Sequence, residues 1–171
     1  MGDNPSGHKG DTLPVEAVLW EEIEEFLTRL NARAPGANYR LPENAQWEYA
    51  ARAGTAGAVS FNGNLEALSH YGNCQGRGSE NSTIPVGSLA ANPWGIFDMY
   101  GNVAELVRDE PLSAAATPGM NALASVLPEK HVRRGGSFRT KPENCDSLNQ
   151  AAVQSRRNKD TGFRIVRDLK K

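Results

Sequence analysis

Turn-forming residues punctuate this chain so densely that long regular elements have little room. Seventeen glycines and ten prolines are spread through its 171 residues, and such residues mark bends and special backbone angles rather than element interiors. Only two stretches keep a helical period. From about Trp20 to Ala32, Leu19, Ile23, Phe26, Leu27 and Leu30 share one stripe, while Glu21, Glu22, Glu24, Glu25 and Arg29 face away. The glutamates crowd the first turn, where the positive end of the helix dipole favours them, and Pro35-Gly36 stop the helix. The second helix is expected from Glu43 to Ala53, opened by Leu41-Pro42 and closed at Gly54. Its Trp47, Ala50 and Ala51 suit close packing.

Elsewhere periodicity is lost. From Gly54 to Asn92 the pairs Asn62-Gly63 and Gly72-Asn73, with Gly76 and Gly78, predict a long loop held by short strands such as Ile84-Pro85-Val86. Trp94 to Met99 is apolar and expected to be buried. Residues 111–128, rich in alanine, serine and proline, predict a second loop. Arg133–Ser137 and Gly162–Val166 read as short strands around a polar segment. Arg133 and Arg134 either bind an acidic ligand or, as is commoner for arginines at strand starts, pair internally with carboxylates.

The formal charge of −1 gives no electrostatic reason to expect nucleic acid as a partner. No apolar run approaches the roughly 20 residues that cross a bilayer, so no membrane partner is expected. The N-terminus lacks the apolar centre of a secretory signal, which leaves the compartment unassigned. Cys74 and Cys145 are too few for a disulfide framework; they are either one bridge or two buried thiols. His8, His70 and His131 are scattered and make no metal or triad pattern. Asn81-Ser82-Thr83 is a sequon that matters only in a secreted eukaryotic protein.

Four segments, in order, carry a resemblance. They are NPSGHKGDTLPVE (4–16), YRLPENAQWEYAARAGT (39–55), NPWGIFDMYGNVAEL (92–106) and RRGGSF…GFRIVR (133–167). Together they resemble the sulfatase-modifying-factor family, which includes formylglycine-generating enzymes, over nearly the whole chain. The resemblance implies an α+β fold of the C-type-lectin-like kind, with two helices, short antiparallel strands and much irregular loop. It implies a single domain over 1–171. The resemblance implies extra strands before the NPSGHKGD region that this chain is expected to lack, as a fragment or as a reduced form of the domain, so an exposed sheet edge that invites oligomerisation is expected.

The resemblance also implies sites. The family's enzymes follow the Ser137-Phe138 position with two cysteines that bind copper(I) and activate oxygen. Here the second is Cys145 and the first is Thr140. A hydroxyl is a hard, weak ligand for an ion that needs soft thiolates, so copper is not expected and Cys145 reads as a structural core thiol. Calcium is expected on a loop resembling the family's, with side-chain oxygens from Asp98 and Glu105 and carbonyls from Gly101 and Val103. The competing possibility is that Glu105 pairs with an arginine while Asp98 caps a turn. The family's other calcium site would involve Asn73 and the Cys74 carbonyl, with the rest near Gly78 to Asn81. Relatives carry tryptophans where this chain has Ala104 and Leu106, which removes two core anchors.

Between Ser137 and Gly162 lies a polar face. Arg139, Lys141, Glu143, Asp146, Asn149, Gln150, Gln154 and Arg156 are its candidate ligand-binding residues, flanked by Arg157 and Lys159. Relatives that serve as variable proteins of diversity-generating retroelements change in this stretch. The expected function is a non-catalytic module that binds a protein or peptide. The alternatives are a sulfatase-modifying oxidase that makes formylglycine, or a docking or sensor domain of a larger signalling protein.

Overall fold

Residue Trp20 begins the longest element of the computed structural model, which describes residues 4–61, 65–76, 81–108 and 130–168. This helix, α1, spans Trp20–Arg33. Glu22 accepts the Leu19 N–H at 3.0 Å, satisfying one backbone group that the helix start leaves unpaired. Ile23, on the apolar stripe, is buried. A short strand β1 (Tyr39–Arg40) follows, then α2 (Asn44–Arg52). Gln46 accepts the Glu43 N–H at 3.1 Å. The helix ends in left-handed Ala53, φ 48°, followed by left-handed Gly54, φ 84°. Glycine here thus extends a turn that an alanine has already begun.

A third helix, α3 (Leu65–Tyr71), stands where a continuous loop was expected. It buries Leu68 and runs into β2 (Gly72–Asn73), which pairs with β3 (Tyr100–Gly101). That pair is parallel, as is β4 (Ala104–Val107) with β7 (Thr161–Phe163). The expectation of antiparallel strands is therefore corrected for two pairings. The antiparallel ones are β1 with β8 (Val166–Arg167), β4 with β5 (Lys130–Arg134), and β5 with β6 (Gln150–Gln154). Among the described residues the main sheet has four strands in the order β6-β5-β4-β7.

Residues 84–86 form no strand. Asn102 instead holds both backbone groups of Ile84, at 3.1 and 3.2 Å, and the Val86 N–H donates to the Thr12 carbonyl at 2.8 Å. A single buried amide thus does the work expected of a ladder. The expectation for 94–99 is corrected too: Met99 is buried, but Trp94 is 46% and Phe97 43% exposed. The expected loop at 111–128, the Asn62-Gly63 turn and Gly78 lie outside the described residues.

The core has two parts. One joins Trp47, Ala51, Leu68, Met99, Tyr100 and Val132 between α2, α3 and the sheet. The other packs Val18, Ile23, Leu41 and Leu106 under α1. Ala104 and Leu106 are both buried in β4.

Candidate functional site: a bridged thiol beneath a polar face

β5 delivers the chain to a double-glycine turn. Gly135 and Gly136 have φ of 82° and 73°, angles that a side chain strains against. A Cβ on Gly135 would stand 2.8 Å from the Trp47 ring and 3.0 Å from the Met99 carbonyl. Glycine is required there on both counts. The turn aims Ser137 inward and buries it. Ser137 Oγ donates to Asp160 Oδ2 at 3.1 Å and accepts the Arg139 N–H at 3.2 Å.

Thr140 closes that turn. Its hydroxyl accepts the Ser137 N–H at 2.9 Å, and its carbonyl accepts the Gln75 N–H at 2.9 Å. Thr140 is therefore a local cap tied to the loop after β2. Cys145 is bonded to Cys74 across 71 residues of sequence, with 6.5 Å between their Cα atoms. Both are essentially unexposed. This settles the choice left open by the sequence: there are no two reduced thiols, and the described residues hold no free cysteine.

The predicted face divides into groups that hold the scaffold and groups that do not. Asp146 Oδ1 accepts the N–H groups of Leu148 and Asn149, each at 2.8 Å. Asn149 donates to the Asn144 carbonyl at 2.7 Å, and Gln150 accepts from Asn44 at 3.3 Å. These three fasten the loop between the Pro142–Asn144 turn and β6. Arg139 is exposed and lies over the Phe138 ring at 5.2 Å. Lys141, Glu143, Gln154 and Arg156 are exposed, and among the described residues their side chains make no hydrogen bond or ion pair. Gln154 and Arg156 rim a shallow depression floored by Val18, Trp20, Leu106 and Val153. His8 meets Phe138 edge-on at 5.5 Å, so the 4–16 segment borders the same face.

The two arginines at the end of β5 pair internally, as their position predicts. Arg133 binds Asp160 at 3.1 Å. Arg134, 2% exposed, binds Glu48 at 2.6 Å and lies over the Trp47 ring.

At the predicted calcium loop, Glu105 is fully engaged. Arg164 meets both of its oxygens, one at 2.6 Å, and the Trp47 indole N–H donates to it as well. Burial works against the Arg164 charge, but the neighbouring Glu105 carboxylate more than offsets it and raises its pKa. The competing possibility for this loop, Glu105 paired with an arginine, is the one found; the arginine is Arg164 of the GFR segment, which no local pattern singles out. Asp98, at φ 57°, accepts the Gly87 N–H at 2.7 Å through Oδ2. Its Oδ1 is buried with no hydrogen-bond partner. Burial, offset in part by that bond and by Arg164, raises its carboxyl above the usual range.

A cation fits this loop in part. Asp98 offers a free, hard oxygen, whereas Glu105 could serve only if Arg164 withdrew. Gly101 and Val103 are buried beside Glu105, and Gly101 donates its N–H to the Gly135 carbonyl at 3.0 Å. Of the second predicted site, Asn73 is buried and gives its amide to the Ser82 carbonyl at 3.0 Å, while Cys74 is the bridged residue. Among the described residues no group of three or more His, Cys, Asp or Glu side chains is clustered as metal ligands.

Among the described residues three α-helices, short strands and long ordered loops around a mixed sheet define a C-type-lectin-like domain of the formylglycine-generating kind. Residues 1–169 match the family described as the sulfatase-modifying factor enzyme 1-like domain, and the chain belongs to that family. It is 34% identical over 161 residues to the formylglycine-generating enzyme of Mycobacterium tuberculosis, covering 80% of this chain and 54% of that protein. The structure of PvdO from Pseudomonas aeruginosa superposes with a TM-score of 0.80 at 29% identity, over 95% of this chain and 64% of that one. Treponema denticola variable protein 1 shares the fold, with a TM-score of 0.76 at 23% identity over 96% and 77% of the two chains. The chain thus spans about half the length of the curated relatives it matches, 54% in the mycobacterial case.

Proposed function

We propose that this chain is a binding module that takes a protein or peptide ligand on its 139–156 face and does not oxidise cysteine. One contrast carries the proposal. The thiol chemistry of the family has been turned to structure, Cys145 by its bridge and Thr140 by its cap, while Arg139, Lys141 and Glu143 before the fastened loop, and Gln154 and Arg156 after it, are exposed. Charged and amide side chains on a rigid loop suit recognition of a polar surface. The shared fold with Treponema denticola variable protein 1 supports a variable ligand-binding protein as the finer form. The test selects ligands from a random displayed-peptide library on the immobilised chain. Enriched peptides are expected to lose binding to the triple variant Arg139→Glu, Glu143→Lys, Arg156→Glu, with the melting temperature unchanged. Peptides that bind the variant equally well would refute the proposal.

One observation favours a second reading: a relative named a formylglycine-generating enzyme is 34% identical. Incubation with copper(I), oxygen and a cysteine-bearing sulfatase-motif peptide tests it. The mass loss of a thiol becoming an aldehyde would establish the oxidase, and no change is expected. A structural calcium ion beside Asp98 is also proposed, on its unpartnered Oδ1. Millimolar calcium should raise the melting temperature of the wild type and not of Asp98→Asn, since binding only to the native state stabilises it. Equal responses would remove the ion.

A further inference from the structure

The main sheet ends differently on its two sides. At the β7 side the 15–17 segment lies along the strand: the Ala17 N–H donates to the Thr161 carbonyl at 3.2 Å, and a Cβ on Gly162 would meet the Val15 carbonyl at 2.3 Å. Along the β6 side nothing comparable lies among the described residues. Among the described residues the backbone of 150–154 hydrogen-bonds only to β5. An antiparallel edge strand turns half of its N–H and C=O groups away from its neighbour, and these form a template for another strand. Proteins usually blunt such an edge with lysine, proline, a bulge or a covering loop. β6 reads Gln-Ala-Ala-Val-Gln, with neither charge nor proline, and Gln150, Ala152 and Gln154 are exposed.

We propose that β6 pairs antiparallel with β6 of a second copy of this chain, about a two-fold axis at Ala152, joining two four-stranded sheets into one. The sequence of the strand argues for this occupant over a foreign strand, because it is nearly its own mirror. With Ala152 on the axis, Gln150 faces the second copy's Gln154, Ala151 faces its Val153, and Ala152 faces its own counterpart. Glutamine amides can hydrogen-bond across both outer positions, the small central residues let the strands approach, and no like charges are opposed. A two-fold contact closes on itself and stops at two chains. Five paired residues make a small interface, so the association is a concentration-dependent equilibrium. β6 lies within the proposed ligand face, and the two tests are kept apart by the residues they change: Arg139, Glu143 and Arg156 for the ligand, Gln150 and Gln154 for the pairing.

Sedimentation equilibrium of the purified chain across a concentration series tests the pairing. The wild type is expected to move from the mass of one chain toward two. Gln150→Lys with Gln154→Lys opposes like charges at both outer positions and should weaken association about tenfold or more. Gln150→Lys with Gln154→Glu opposes unlike charges there and should restore it. Equal melting curves confirm that each variant is folded. In the wild type alone, hydrogen exchange at the β6 amides should slow as concentration rises. A wild type that stays a single chain throughout would overturn the proposal and leave the edge to a foreign strand. So would a double-lysine variant that associates as tightly as the wild type, or a dimer whose β6 amides gain no protection.

Discussion

Gly135 shows how one atom can decide this structure. Its φ of 82° disfavours any side chain, and the space for a Cβ is already filled by Trp47 and the Met99 carbonyl. Gly95 shares the strain, with φ 76°, yet has nothing within 4 Å of a Cβ. The pair separates conformational strain from crowding. Gly95→Ala should cost about 1–2 kcal/mol, the price of left-handed backbone alone. Gly135→Ala should cost about 2–5 kcal/mol, because a buried overlap adds to that strain. Urea unfolding of the two variants measures the difference, and equal costs would show that Trp47 yields to the added methyl.

Elements were legible in the sequence where one physical signal dominated. The stripe of α1 and the acidic first turn located it almost to the residue, and the internal pairing expected of Arg133 and Arg134 is found with Asp160 and Glu48. The four family segments carried the fold class. What stayed hidden depends on contacts distant in sequence. The helix α3 has only seven residues, too short for periodicity to stand out, and it is held by Leu68 in the core. The parallel pairings of β2 with β3 and β4 with β7 join segments whose separation no local pattern encodes. Trp94 and Phe97 read as core by composition alone, yet Trp94 meets exposed Tyr49 at 4.8 Å on the surface. At the site, the candidate face was legible as polarity. Its division into fastening residues (Asp146, Asn149, Gln150) and outward ones needed the coordinates, since both kinds look alike in sequence.

At the scale of the molecule, the Cys74–Cys145 bridge is the tie between halves of the chain. It joins the end of β2 to the loop below the polar face, and its sulfurs sit in the core with Trp47, Met99 and Tyr100. In the chain-entropy account, cross-linking two points restricts the unfolded chain more as the enclosed loop grows. A separation of 71 residues corresponds to about 4 kcal/mol. Domains of this size commonly have only about 5–15 kcal/mol in hand, so the loss is a large share. Cys74→Ala with Cys145→Ala should therefore lower unfolding free energy by about 4 kcal/mol, plus a smaller cost for the vacated volume. The wild type in strong reductant should fall in the same direction, while the double variant should not respond to reductant at all. If reductant leaves the wild type unchanged even in partly denaturing urea, where the buried bridge becomes reachable, the tie is absent in solution. Cys145 would then be a free core thiol.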